Sequence, residues 1–139
     1  MNPLLQTRTV LTLAAAERIA QAAEAHARAG AHAVAIAIVD EAGRLLLFRR
    51  MDGTPNAGVE VAIRKAEHAA NYRRDTVFHQ ELLAQGHTVV LGLPHGLPLE
   101  GGVRLLYREH LLGAIGISGA PSAQDGEIAR AGALALESL

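Results

Sequence analysis

The 139-residue sequence predicts an α+β domain in which helices flank an antiparallel sheet. Two observations lead there. Strand-like runs come in adjacent pairs instead of alternating singly with helices, which argues against a parallel, doubly wound sheet. Half of the residues are apolar but only 3% are aromatic, so the core must be built from Ala, Leu, Val and Ile, with backbones close together at the many glycines. The length suits a single domain over residues 1–139 and is too short to divide into two.

Thr12 is the expected N-cap of a first helix running to about Ala29. Leu13, Ala16, Ala20, Ala23 and Ala27 recur there at spacings of three and four, and Gly30 supplies the stop. "AVAIAIVD" (33–40) and "RLLLFRR" (44–50) read as an antiparallel pair around Gly43, which can take positive φ in a bulged hairpin loop. "MDGTPNAG" breaks the strand, and Gly58 opens a helix with Glu60 in its first turn, favourable to the dipole. A shorter helix follows from about Thr76 to Gln85, ended by Gly86. "TVVLGLP", "GGVRLLY" and "LLGAIGISG" are expected to be three further strands, the last two joined around Arg108 and Glu109. Ser122 and Asp125 have capping-box spacing at the start of a last helix running to about Glu137.

Several classes of function are disfavoured. A formal charge of −1 with mixed signs lacks the basic footprint of nucleic-acid binding. The absence of cysteine excludes disulfides, thiolate metal sites and a cysteine nucleophile. Arg8, Glu17 and Arg18 interrupt the apolar N-terminal stretch, no basic n-region precedes it, and no segment reaches membrane-spanning length. A soluble, cytoplasmic protein without membrane contact is expected. Without a P-loop lysine or a Gly-rich turn after a strand, nucleotide binding has no support. No histidine pair has metal-binding spacing, so no dedicated metal site is expected; His32, His79, His87 and His110 stand without such a partner.

The most informative stretch is "RKAEHAANYRRDT" (64–76), which holds the single lysine of the chain. On a helix Lys65, His68 and Tyr72 share one stripe beside Ala62, Ala66 and Ala69, which press against the sheet or a neighbouring subunit. The stripe reads in two ways. As a pocket wall it offers a cation for a carboxylate or propionate, a histidine base or ligand, and a phenol. As a packed seam it holds a snorkelling lysine and a histidine bonded to a carbonyl. A second candidate is "LPHGLPLEGG" (93–102), with Glu100 as an acid or base, His95 nearby, and the Gly101 and Gly102 N–H groups open to an anion; plain turn chemistry explains it equally. "GISGAPSAQD" (116–125) could take a carboxylate before a helix N-terminus.

The phrases "AIVDEAGRLLLFRRMDG", "IRKAEHAANYRRDT", "GLPLEGGVRL" and "LLGAIGISGAPSAQDGEIARAGA", in this order from Leu11 to Ala135, resemble the GlcG/HbpS family of heme-binding and related proteins. The resemblance implies a profilin-like domain with a five-stranded antiparallel sheet, assembled into a homo-oligomer. Bacterial members looking like this include extracellular heme sensors, proteins encoded beside glycolate-oxidation genes, and the C-terminal domain of a PduO-type cobalamin adenosyltransferase. The chain departs from the family's "KAxTAxxF" by His68 in the threonine position and Tyr72 in the phenylalanine position. The family's "PGG" becomes Pro94-His95-Gly96, and its usual Asp-Gly turn becomes Arg108-Glu109, which disfavours a type I′ turn.

The resemblance makes heme, or a similar tetrapyrrole, the leading ligand for a binding protein with a sensing or heme-degrading role. Lys65 would then pair a propionate, with His68 or His26 approaching the iron and Tyr72 beside them. His26, late in the first helix, also simply complements the helix dipole. The rival is an enzyme acting by acid–base chemistry on a small carboxylate metabolite, with His68, Tyr72 and Glu100 catalytic and Lys65 binding the acid. A third class is an assembly protein using its Ala- and Gly-rich faces.

Overall fold

The computed structural model describes residues 2–139. The elements run α1 (Leu13–Ala29), β1 (Ala35–Asp40), β2 (Leu45–Arg50), α2 (Ala57–Tyr72), α3 (Thr76–Ala84), β3 (Gly102–Tyr107), β4 (His110–Ser118) and α4 (Ser122–Leu134). Short 3-10 turns lie at Thr88–Gly92 and Ala135–Ser138. The four strands form one antiparallel sheet in the order β2-β1-β4-β3.

Alternation along the two central strands fills both faces of this sheet. Ile36, Ile38, Ile115 and Ile117 meet α1 and α4 on one face, where Ile19, Ala23 and Ile128 complete the larger core. Ala35, Ala37, Val39 and Ala114 meet Ala62, Ala66 and Ala69 of α2 on the other. The alanine stripe of α2 thus packs on the sheet, as its spacing predicts. The approach is close enough that a Cβ on Gly116 would strike the Ala62 carbonyl and a Cβ on Gly102 the Lys65 carbonyl. That is the physical use of a core poor in aromatics: helix and sheet backbones nearly touch.

Three expectations need correction. The sheet has four strands, not five, because "TVVLGL" folds as a 3-10 turn with Val89 81% and Leu91 67% exposed. The β3 edge has little room for another strand: Asp75 Oδ1 accepts from the Arg104 N–H and Thr76 Oγ1 from the Gly102 N–H, at 3.0 and 2.9 Å. Arg108 and Glu109 do make the two-residue turn, with φ of +48° and +67°, the positive values that a type I′ turn demands. Helix α1 takes its Thr12 cap, with the Ala15 N–H donating to Oγ1, and ends at Gly30 as its spacing predicts, with Ala31 (φ +59°) turning left-handed just beyond. Ser122 makes no capping-box bond. Asp125 instead accepts from the Ala120 N–H at 2.9 Å, one residue before the Pro121 cap.

Candidate functional site

The face of α2 beside its alanine stripe carries Lys65, His68 and Tyr72, and the loop 94–101 lies along it almost residue for residue. The Tyr72 hydroxyl donates to the Pro94 carbonyl. The Leu97 N–H donates to His68 Nδ1 at 2.8 Å. A Cβ on Gly101 would stand only 2.7 Å from both Lys65 Nζ and the Ile117 carbonyl oxygen, at a φ of +133°, so the position calls for glycine. The helix stripe and the Pro/Gly loop, which the acid–base reading expects to converge, therefore meet as packing partners.

At one end, Lys65 is 1% exposed, and Nζ donates to Asp125 Oδ2 and to the Ile117 carbonyl, both at 2.9 Å. Burial pushes the Asp125 carboxyl above the usual carboxylate range, while the Lys65 hydrogen bond and charge, and the Ala120 N–H, pull it back. Lys65 is thus committed within the fold, and its ammonium is not presented to a propionate or carboxylate from outside. Asp125 is the residue that sequence reasoning missed. Its spacing from Ser122 suggested a cap, and nothing local announces a partner 60 residues away.

Further along, His68 is fully buried and its Nε2 lies 2.8 Å from His79 Nδ1 of α3. With Leu97 on the other nitrogen, both ring nitrogens of His68 are engaged within the chain. Burial, reinforced by His79, lowers its pKa to about 4; His79 is also lowered, by burial and then by the Arg74 charge. Both imidazoles are neutral at pH 7. Tyr72 and His79 approach His68 with ring centroids at 5.0 and 4.8 Å. His79 has no partner at metal-binding spacing in sequence, and its contact with His68 arises only because α3 folds back on α2.

Glu100 turns the other way. Its Oε2 lies 3.4 Å from Arg130 Nη1 and against Gly126, both on α4, while its backbone N–H donates to Gln80 Oε1. The carboxylate therefore contacts α4 and not the His68 ring. His26 stands exposed in the last turn of α1, on the opposite layer from α2. With His32, Gln124, Glu127 and Ile128 it lines an open cleft of about 380 Å³ between the end of α1 and the start of α4. Among the described residues, no group of three His, Cys, Asp or Glu could hold a metal ion, and no helix is long and apolar enough to cross a membrane.

Comparison with known proteins agrees with this architecture. The family model described as "Haem degrading protein HbpS-like" matches residues 11–134. Protein GlcG of Escherichia coli K12 is 33% identical over 114 residues, covering 82% of this chain and 85% of GlcG. The crystal structure of HbpS superposes with a TM-score of 0.87 at 35% identity, covering 96% of this chain and 95% of that one. The Klebsiella pneumoniae protein ORFY gives 0.89 at 27% identity, over 100% and 98%. A PduOC:heme complex, at 24% identity and a TM-score of 0.83 over 91% and 95%, shares the fold.

Proposed function

This chain belongs to the HbpS-like family, and from that membership we propose that it binds heme or a similar planar tetrapyrrole, with His26 as the ligand to iron. The observation that carries the assignment is the contrast between its histidines. His68 is fully enclosed, with both nitrogens bonded, whereas His26 is exposed at the mouth of an open cleft with His32 beside it. Imidazole is a common axial donor, and a half-open cleft suits a ligand that enters edge-on. Ala29 supplies apolar surface there, over a buried Ile128, and Gln124 and Glu127 a polar rim. Bound heme supplies an iron centre for ligand exchange and electron transfer. The residues of this chain contribute the donor and the walls.

Binding is favoured over acid–base turnover at α2 for the same reason. A histidine with no free nitrogen cannot receive a substrate proton, and Lys65 is paired with Asp125. Self-association belongs to the same reading, supported by exposed apolar side chains such as Val89 and Leu91, and a sizing column tests it. The decisive experiment is a hemin titration of the protein beside His26→Ala and His68→Ala, following the Soret band. Saturable binding whose spectrum changes in His26→Ala but not in His68→Ala is expected. No saturable binding by the unaltered protein removes the proposal, and an unchanged spectrum in His26→Ala removes the ligand assignment.

A further inference from the structure

The hydrogen bonds around His68 decide where two protons sit. A backbone N–H can only donate, so His68 Nδ1, which faces the Leu97 N–H, must be an acceptor. The neutral ring then carries its proton on Nε2 and donates it to His79 Nδ1. His79 is in turn obliged to hold its own proton on Nε2. That nitrogen has no hydrogen-bond partner among the described residues. It is also not buried: the buried side-chain polar atom left unpartnered among the described residues is Arg64 Nε. His79 thus offers solvent an N–H donor whose polarity and direction are set from the backbone, through a second imidazole.

The surroundings of that donor are specific. The Phe78 ring, 42% exposed, stands nearly perpendicular to His79 at 5.0 Å, with Tyr72 at 5.7 Å. The Arg74 guanidinium lies 4.8 Å from the Phe78 ring centre. Two of the four Phe and Tyr side chains in the whole protein are gathered here. From this arrangement we infer that His79, Arg74 and Phe78 form a binding site for a carboxylate carried on an aromatic body. The carboxylate accepts from His79 Nε2–H and meets the Arg74 cation, and the ring packs against Phe78.

The same polarity excludes a metal or heme iron at His79. A metal needs the lone pair of Nε2, which would move the proton to Nδ1, against the His68 Nε2–H. Relieving that clash would drive the His68 proton onto Nδ1, against the Leu97 N–H. This site goes beyond the heme reading and lies on the α2 side of the sheet, away from the His26 cleft, so either can fail alone.

The test uses the full ¹⁵N-labelled chain at neutral pH. Long-range ¹H–¹⁵N spectra of the imidazoles should find both His68 and His79 as Nε2–H tautomers. Benzoate should then shift the His79 side-chain signals saturably, benzyl alcohol should not, and Arg74→Gln should weaken benzoate binding roughly tenfold, the loss of one charge-assisted contact. An Nδ1–H tautomer at His79 overturns the inference. So does the absence of a saturable benzoate shift, an equal response to benzyl alcohol, or Zn²⁺ binding at His79 in the unaltered protein.

Discussion

Lys65 and Asp125 form an ion pair 2.9 Å long with side chains 1% and 3% exposed, joining the middle of α2 to the first turn of α4 past the end of β4. Two ions taken out of water are stabilised only while both are present, and removing one leaves the other buried and uncompensated. Lys65→Met is therefore expected to cost about 3–5 kcal/mol in urea unfolding. The double change Lys65→Met, Asp125→Leu should recover much of that loss. A double variant as unstable as the single one would mean that the pair is not the source of the cost.

His68 gives the protein a pH dependence of definite sign. Its pKa is about 4 in the fold, against 6.5 for a free imidazole, so between those values the unfolded chain binds more protons. Stability is fully present above pH 6.5 and falls as the pH drops towards 4. The loss at this site reaches about 3 kcal/mol, since each pKa unit is worth about 1.4 kcal/mol. Urea midpoints measured from pH 7.5 to 4 check it, and His68→Phe should flatten the profile over that window.

Five non-glycine residues among those described occupy left-handed backbone, where glycine or asparagine is cheaper; they include His95 (φ +57°), Arg108 (φ +48°) and Glu109 (φ +67°). The combined change Arg108→Asn, Glu109→Gly should raise stability by about 1–2 kcal/mol, as a type I′ turn favours that dipeptide. His95→Gly should add up to about 1 kcal/mol. Thermal unfolding reads both, and a fall in Tm for the turn variant would contradict the strain argument.

Gly116 of β4 faces α2 with no room for a methyl group against the Ala62 carbonyl. Gly116→Ala must separate helix from sheet, at an expected cost of about 3 kcal/mol or more, because backbone cannot rotate aside as a side chain can. Gly86→Ala, where nothing lies within 4 Å of a Cβ but φ is +95°, isolates the cost of the conformation alone. It should be the milder of the two changes by the same unfolding measurement.

Local chemistry made much of the fold readable. The Thr12 cap and alanine period of α1, the hairpin around Gly43, the turn formers before α2 and the two-residue break at Arg108-Glu109 each depend on a few neighbouring residues. "TVVLGL" misled because its Thr and Val favour a strand locally, and that preference was overridden by the tertiary surroundings. Whether a sheet edge is available to them depends on Asp75 and Thr76, already bonded to β3.

The sequence by itself determined an α+β class, an α2 face bearing Lys65, His68 and Tyr72 beside a packing stripe of alanines, and a composition without cysteine and near charge balance. Only the tertiary structure decided what those side chains meet: Asp125 for Lys65, Leu97 and His79 for His68, Pro94 for Tyr72 and α4 for Glu100. The reason is physical. Helix period and turn chemistry arise from backbone sterics within a few residues, whereas a buried polar group takes whichever partner the sheet order and layer packing bring within 3 Å.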